Sequence, residues 1–244
     1  MGVKLLLHVY TTLKISAKKN IPKVVIVTAL FVLFSCSPVY VPNVVNTPML
    51  SSKHEFQAGV YSGIAGVDPQ FSYAITNNWG VMLNGSFTRR GEMHSDNFRH
   101  QSFVELGSGF FNSFSERGVF EFYGGGGYGV LQSQYTSSLW KDYNNVELFR
   151  FFLQPSVGLS GTFADISFAS RFVFVQYVQS NVVAMGAFAE PVVTARVGYK
   201  YLKAVMQFGV SLPIVPQSSM GKTNFQYQPI IFSAGIHAIF NKQY

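Results

Sequence analysis

A short polar stretch in the first half of the chain brings together side chains that could transfer protons. His94, Asp96 and His100 lie within the ten residues GEMHSDNFRH. Imidazole and carboxylate groups can serve as general base and acid in hydrolysis, and they are also common metal ligands. Their spacing matches no metal or protease motif, and polar side chains are equally typical of a surface loop. The sequence therefore predicts no catalytic residue, no metal site and no cofactor, and keeps a hydrolase as an alternative.

Five charged side chains occur in segments that otherwise contain little charge. Each of them falls at a position opposite in parity to the bulky apolar residues of its segment, so all five are expected on one face. Opposite charges that meet in a narrow interior offset the cost of burying each other. We predict an interior ion network that acts as a structural plug, and a constriction ring in a narrow pore is the alternative. The members of the predicted ion network are Glu105, Glu121, Arg150, Arg171 and Arg196.

An apolar run near the N-terminus has the properties of an export signal. Residues Val24 to Phe34 are almost continuously apolar, and Lys18, Lys19 and Lys23 precede them. Eleven residues at about 1.5 Å each are too short for a helix to span a bilayer of roughly 30 Å. A basic flank followed by 7–15 apolar residues is the usual composition of a secretory signal. We therefore assign residues 1–35 to an export signal.

The only cysteine of the chain follows this run directly. The four residues Leu33-Phe34-Ser35-Cys36 resemble the lipobox of bacterial lipoproteins. In that family the cysteine is acylated and becomes the first residue of the mature chain, so the resemblance implies lipidation of Cys36. Cleavage by ordinary signal peptidase, with Cys36 unmodified, is the alternative. Residues 36–52 contain three prolines and no periodicity, and we interpret them as a lipidated, extended tether.

Charged residues are scarce, and most of the excess positive charge lies in the export signal. Only 12% of the 244 residues are charged, about half the usual share for a soluble domain. The net charge is +7, but residues 1–35 hold five lysines and no acid, which leaves thirteen basic and eleven acidic residues. The nearly neutral remainder offers no basic surface, so the composition predicts no nucleic-acid partner.

From Lys53 onward, apolar residues alternate with small or polar ones at a period of two, which is typical of β-strands. In residues 149–159, for example, Phe149, Phe151 and Leu153 alternate with Arg150 and Gln154. No amphipathic helix is evident. We predict ten strands, at about 53–61, 67–76, 79–89, 101–111, 118–131, 147–160, 165–177, 190–201, 203–212 and 227–241.

The predicted connections alternate between short turns and longer polar loops. This asymmetry is typical of outer-membrane barrels, whose periplasmic turns are short and whose extracellular loops are longer. An even number of strands puts both ends of the barrel on the periplasmic side, where we expect the lipid anchor. The long loops are predicted at 90–100, 132–146, 178–189 and 213–226, and the first hairpin, at 62–66, is a short exception.

The scarcity of charge distinguishes a membrane barrel from a soluble sandwich. A soluble outer face needs far more Lys, Glu, Asp and Arg than these strands contain, whereas a lumen can be filled by Ser, Gly, Gln and a few paired ions. Ten strands also enclose little space once side chains point inward. The run Gly124–Gly127 predicts room for a bulky inward side chain such as Tyr123 or an arginine.

From about Lys53 to Tyr244 the chain resembles small Gram-negative outer-membrane β-barrel proteins, although a polar tail follows its last alternating segment, Gln228 to Phe240. The resemblance implies an all-β, antiparallel, up-and-down transmembrane β-barrel over residues 53–244, in contact with membrane lipid. With no catalytic constellation and a closed lumen, we predict a non-enzymatic structural or accessory subunit of an envelope assembly with possible protein partners. A narrow channel or transporter and a hydrolase at the barrel rim are the alternatives.

Overall fold

The computed structural model describes residues 38–93, 95, 97–135, 143–179, 182–215 and 226–242. Cys36, His94 and Asp96 lie outside these residues. Within the described part, the chain is built from β-strands, and no helix is long and apolar enough to cross a membrane. The strands are β1 Phe56–Gly63, β2 Gly66–Ala74, β3 Trp79–Arg90, β4 Asn97–Ser113, β5 Gly118–Tyr135, β6 Tyr143–Leu159, β7 Ala164–Gln179, β8 Val182–Tyr199, β9 Leu202–Val210, β10 Leu212–Pro213 and β11 Ile230–Phe240.

The strands form one closed antiparallel barrel. Each strand from β1 to β8 pairs with the next one along the chain, and β11 closes the sheet by pairing with both β9 and β1. The two-residue β10 continues the line of β9 and pairs with β8. The barrel wall therefore has ten strands with one short extra strand. The predicted all-β, ten-stranded, up-and-down barrel is confirmed.

The two ends of the barrel differ in their connections. At one end, called here the turn end, residues 75–78, 114–117, 160–163 and 200–201 join consecutive strands. The opposite end, called the loop end, carries the described residues 64–65, 91–93, 95, 214–215 and 226–229, together with the strand ends Tyr135, Tyr143, Gln179 and Val182. Strand β1 begins and β11 finishes at the turn end. The longest connection joins β10 to β11, and its described residues 214–215 and 226–229 lie at the loop end.

Strands β4 to β8 are longer than the alternation predicted. Strand β8 begins at Val182 rather than near residue 190, so the connection before it has two residues instead of the long loop expected at 178–189. Backbone pairing continues from Gln179↔Val182 onward, because the strand ladder tolerates the small residues that weaken the sequence pattern there. The wall formed by β4–β8 therefore extends further at the loop end than the wall formed by β1 and β2.

The two faces of the wall differ sharply in polarity. Phe151 is 62% exposed on the outside, whereas its neighbour Arg150 is 2% exposed and points inward. The same alternation holds along β7 and β9, whose outward residues are largely apolar. Because side chains alternate strictly along a strand, one apolar parity produces one apolar surface. The outside of this barrel is apolar and its inside is polar.

Candidate functional site

The lumen contains the segment that precedes the barrel. Residues 38–50 are buried throughout, with Leu50 fully inaccessible and Val45 only 1% exposed. The carbonyl oxygen of Pro38 accepts a hydrogen bond from Arg99 near the loop-end terminus of β4, and Leu50 packs against Phe111 near the turn-end terminus of the same strand. Residues 38–50, called here the lumen segment, therefore pass through the barrel along its length. The part of the predicted tether that the structure describes lies largely inside the barrel.

At the loop end, the lumen segment is bound through both its backbone and its side chains. Tyr40 donates its backbone N–H to the Gln226 carbonyl at 3.1 Å, and its own carbonyl accepts from the Gln228 N–H at 2.9 Å. The Tyr40 hydroxyl donates to Glu190 Oε1 at 2.6 Å, and the Tyr40 ring stacks on Phe188 at 4.9 Å between centroids. These contacts fix the segment against the connection that precedes β11 and against β8.

In the middle of the barrel, wall side chains replace the pairing that a neighbouring strand would provide. The Val45 N–H donates to Gln207 Oε1 at 2.8 Å, and Gln207 Nε2 donates back to the Val45 carbonyl at 2.9 Å. Asp68 Oδ2 accepts from the Val44 N–H, and Gln70 donates to the Val44 carbonyl, each at 2.8 Å. The wall thus binds the main chain of an extended peptide, because amide and carboxylate side chains reproduce the donors and acceptors of a β-ladder.

At the turn end, charged groups contact the last part of the segment. The Leu50 N–H donates to Glu121 Oε1 at 3.1 Å, and the Arg196 guanidinium donates to the Thr47 and Pro48 carbonyls. Lys242, just beyond β11, donates to the Met49 carbonyl at 2.9 Å. Burial lowers the pKa of the Lys242 ammonium, while Glu55, 3.6 Å away, opposes that shift.

The proline content of the segment explains why it lies free of the sheet. Pro38, Pro42 and Pro48 have no backbone N–H and fix φ near −65°, so a continuous strand ladder cannot form. The described residues of the segment make one isolated bridge, between Tyr40 and Tyr227, rather than a ladder. An extended but unpaired chain leaves its remaining polar groups for the side chains of the lumen. This composition suits a peptide that is surrounded by side chains on all sides.

Four of the lumen charges form one connected network. Glu105 Oε2 accepts from Arg150 Nε at 2.8 Å, and Glu105 Oε1 lies 3.9 Å from the Arg171 guanidinium. Arg171 in turn bonds Glu190 at 2.6 Å, and it also donates to the side-chain and backbone oxygens of Asn43 in the lumen segment. All four are almost completely buried. The network therefore joins β4, β6, β7 and β8 to the segment.

The other two predicted network residues are placed differently. Arg196 lies 4.0 Å from Asp165, which also pairs with Lys203 at 2.7 Å. The described contacts of Glu121 are hydrogen bonds to the segment backbone and to Ser156, rather than an ion pair with an arginine. The structure therefore brings Glu105, Arg150 and Arg171 together, sets Arg196 in a second cluster, and gives Glu121 a main-chain-binding position.

The glycines of β5 make room for aromatic rings. A Cβ on Gly127 would lie 2.4 Å from the Phe103 ring, and one on Gly125 would lie 2.7 Å from the Phe152 ring. Phe103 lies under the Arg150 guanidinium, 4.1 Å from its centroid. The close approaches at Gly127 and Gly125 involve the Phe103 and Phe152 rings, while the Tyr123 ring lies against Gly109 of β4, where an added Cβ would be 2.7 Å from it. Packing against Phe103 helps to hold Arg150 beside Glu105.

Several side chains of the lumen were not predicted from the sequence. Glu190 and Asp165 have the inward parity of the predicted charges, but each lies near a segment boundary that the alternation misplaced or left uncertain. Gln70, Gln154 and Gln207 share that parity but carry no charge to attract attention. The signal that could have identified them is the same strict alternation, applied to amides as well as ions.

Of the three candidate residues in the polar stretch GEMHSDNFRH, the structure describes His100. His100 Nε2 lies 3.0 Å from the Gly91 carbonyl oxygen, and this hydrogen bond orients the imidazole. Among the described residues, no group of three or more His, Cys, Asp or Glu side chains could hold a metal ion. Comparison with protein-family models gave no match, and comparison with curated proteins gave no significant match.

Proposed function

We propose that this chain is an outer-membrane β-barrel lipoprotein that serves as a structural or accessory subunit of an envelope assembly, with a lumen closed by its own N-terminal segment. The observation that carries the proposal is the lumen segment itself, which is buried from Pro38 to Leu50 and bound by the wall along its length. An interior occupied in this way supports a lumen that is closed to solutes.

The outer surface supports a membrane location. Its exposed residues include many phenylalanines, such as Phe151, Phe168, Phe174 and Phe208. A contiguous apolar exterior of this kind is costly in water and is characteristic of a barrel surrounded by lipid. The buried charges are paired or bound to the lumen segment, as the low-dielectric interior of a membrane protein requires.

Conductance distinguishes a closed subunit from a channel. The purified mature protein, including residues 36–52, is incorporated into planar bilayers, and a porin of known conductance serves as the positive control. We expect no steady single-channel current, because the segment and the ion network fill the lumen. Large, steady currents would contradict the closed lumen and favour the narrow channel or transporter.

An accessory role predicts stable protein partners. We expect mild-detergent extracts of the outer membrane to yield this protein in a complex larger than the monomer, with defined partners identified by chemical cross-linking in intact cells. A monomer without cross-linked neighbours would argue against the accessory role. Absence of the protein from the outer-membrane fraction would contradict the location itself.

A further inference from the structure

The direction of the lumen segment determines where the mature chain begins. Pro38 bonds Arg99 and Leu50 packs against Phe111, and these two wall residues are twelve positions apart on β4. At about 3.3 Å per residue, that separation corresponds to roughly 40 Å of wall. The chain thus runs from the loop end at Pro38 to the turn end at Leu50. It then passes through residues 51–55 into β1, which starts at the turn end.

We infer that the mature N-terminus leaves the lumen at the loop end, on the opposite side of the membrane from the C-terminal end of β11, so that an acylated Cys36 anchors the chain in the loop-side leaflet. The inference rests on the proposed outer-membrane location. It differs from the placement predicted from the even number of strands, which puts the anchor on the periplasmic side together with both ends of the barrel.

Chain length excludes an anchor on the turn side while the lumen segment is in place. Two residue steps separate Cys36 from Pro38, and fully extended they span at most about 7 Å. Reaching the turn-side leaflet from Pro38 would require a path of roughly 40 Å, the length of the wall between Arg99 and Phe111. The anchor and Pro38 must therefore lie on the same side.

The contacts near Pro38 hold this end of the segment in position. Arg99 is buried in the wall and bonds the Pro38 carbonyl at 2.6 Å, while the Tyr177 hydroxyl donates to the Val39 carbonyl at 3.2 Å. Tyr40 adds the two backbone hydrogen bonds to Gln226 and Gln228. The loop-side exit is thus built from β4, β7 and the connection before β11.

The loop end is expected to face the cell exterior, because long connections of outer-membrane barrels are extracellular and short ones are periplasmic. The inference then describes a surface-exposed lipoprotein whose own barrel carries its N-terminus across the membrane. The acyl chains would lie in the outer leaflet, and the C-terminus would remain in the periplasm.

Epitope tags on three versions of the full chain test this arrangement. One tag is inserted between Ser37 and Pro38, a second between Val215 and Gln226 in the loop-end connection, and a third after Tyr244. Antibody binding is measured on intact and on permeabilised cells. Each tagged protein is first checked for a folded barrel by its resistance to unheated SDS.

We expect the N-terminal tag and the loop tag to be accessible from the same side, and the C-terminal tag from the other. An N-terminal tag that shares its side with the C-terminal tag would overturn the inference, while the outer-membrane proposal would stand. The outer-membrane location is tested separately, by measuring which membrane fraction contains the protein. If the first tag prevents folding, Ser37→Cys with a membrane-impermeant maleimide gives the same comparison, with Val215→Cys and Glu116→Cys as loop-end and turn-end references.

Discussion

At the scale of single residues, Glu105 is the acidic centre of the largest charge network. It contacts Arg150 and Arg171, and Asn84 donates a further hydrogen bond to it at 3.0 Å. A carboxylate with these partners is satisfied in spite of complete burial. It is a carboxylate partner of both arginines, and Arg171 also donates a hydrogen bond to Asn43 of the lumen segment.

Replacing Glu105 with alanine is therefore expected to destabilise the barrel. The change leaves Arg150 without its carboxylate partner, and breaking a buried ion pair in this way costs about 3–5 kcal/mol. The free energy of unfolding is measured by urea titration of the protein folded in lipid or detergent. Glu116→Ala, at an exposed turn-end position, is the control and should change stability by less than about 0.5 kcal/mol. Equal stabilities of the two variants would contradict the network's structural role.

Gln207 tests the recognition of the segment backbone. In Gln207→Leu the side chain retains a similar size but loses both hydrogen bonds to Val45. Two such bonds contribute about 1–3 kcal/mol, so amide hydrogen exchange at Val45 should accelerate by about 5- to 150-fold. The control is Gln134→Leu, an exposed residue of β5. Unchanged exchange at Val45 would show that the wall does not hold the segment through this side chain.

At the scale of elements, glycines of the wall make space for the lumen segment. A Cβ on the inward Gly80 would lie 2.7 Å from Leu50 Cδ1 and 2.8 Å from the Tyr123 hydroxyl. A Cβ on Gly124 meets Leu153 at 3.1 Å on the outer face. The same residue type therefore has different packing on the two faces of the barrel.

Gly80→Val should destabilise the protein by about 1–3 kcal/mol, because the added side chain overpacks the lumen beside Leu50. Gly124→Val places equal volume on the outer face, where only a flexible leucine side chain has to adjust. Their urea midpoints are compared with that of the unmodified protein. A larger loss in Gly124→Val than in Gly80→Val would contradict the packing of Leu50 against this part of the wall.

At the scale of the whole molecule, the barrel encloses a segment of its own chain. The wall closes where β1 pairs with β11, and the lumen segment is joined to β1 through residues 51–55. Closure must therefore take place around the segment, or the segment must enter before β1 and β11 pair. If β1 and β11 paired first, the extended chain would have to thread into a closed barrel to make the buried contacts of Val44, Val45 and Asn46.

A disulfide between the segment and the connection before β11 tests the place of the segment in the lumen. Tyr40 and Tyr227 form a β-bridge, and paired strands lie about 4.7–4.9 Å apart, within the range that a disulfide spans. We expect Tyr40→Cys with Tyr227→Cys to cross-link on oxidation, giving a reduction-sensitive mobility shift on heated gels. Tyr40→Cys with Glu116→Cys joins opposite ends and should not cross-link. Absence of the first cross-link in a folded barrel would contradict the segment's place in the lumen.

The alternation of apolar and polar residues by itself determined the all-β class, the ten strands and the polarity of each face. It does so because side chains of a strand point alternately to opposite sides, so that parity alone assigns Arg150, Arg171 and Arg196 to one surface. The same rule applies however the strands are arranged in space. Strand limits were less predictable, as β8 shows, because backbone pairing continues through small residues that leave a weak pattern.

Only the tertiary structure decided what fills the lumen and which charges meet. Residues 38–50 have no period of their own, and their position depends on main-chain hydrogen bonds to Gln207, Asp68 and Glu121 from three different strands. Likewise, the pairing of Arg171 with Glu190 depends on the register of β7 against β8. Local sequence cannot encode such contacts, because they arise only when distant strands close around the same space.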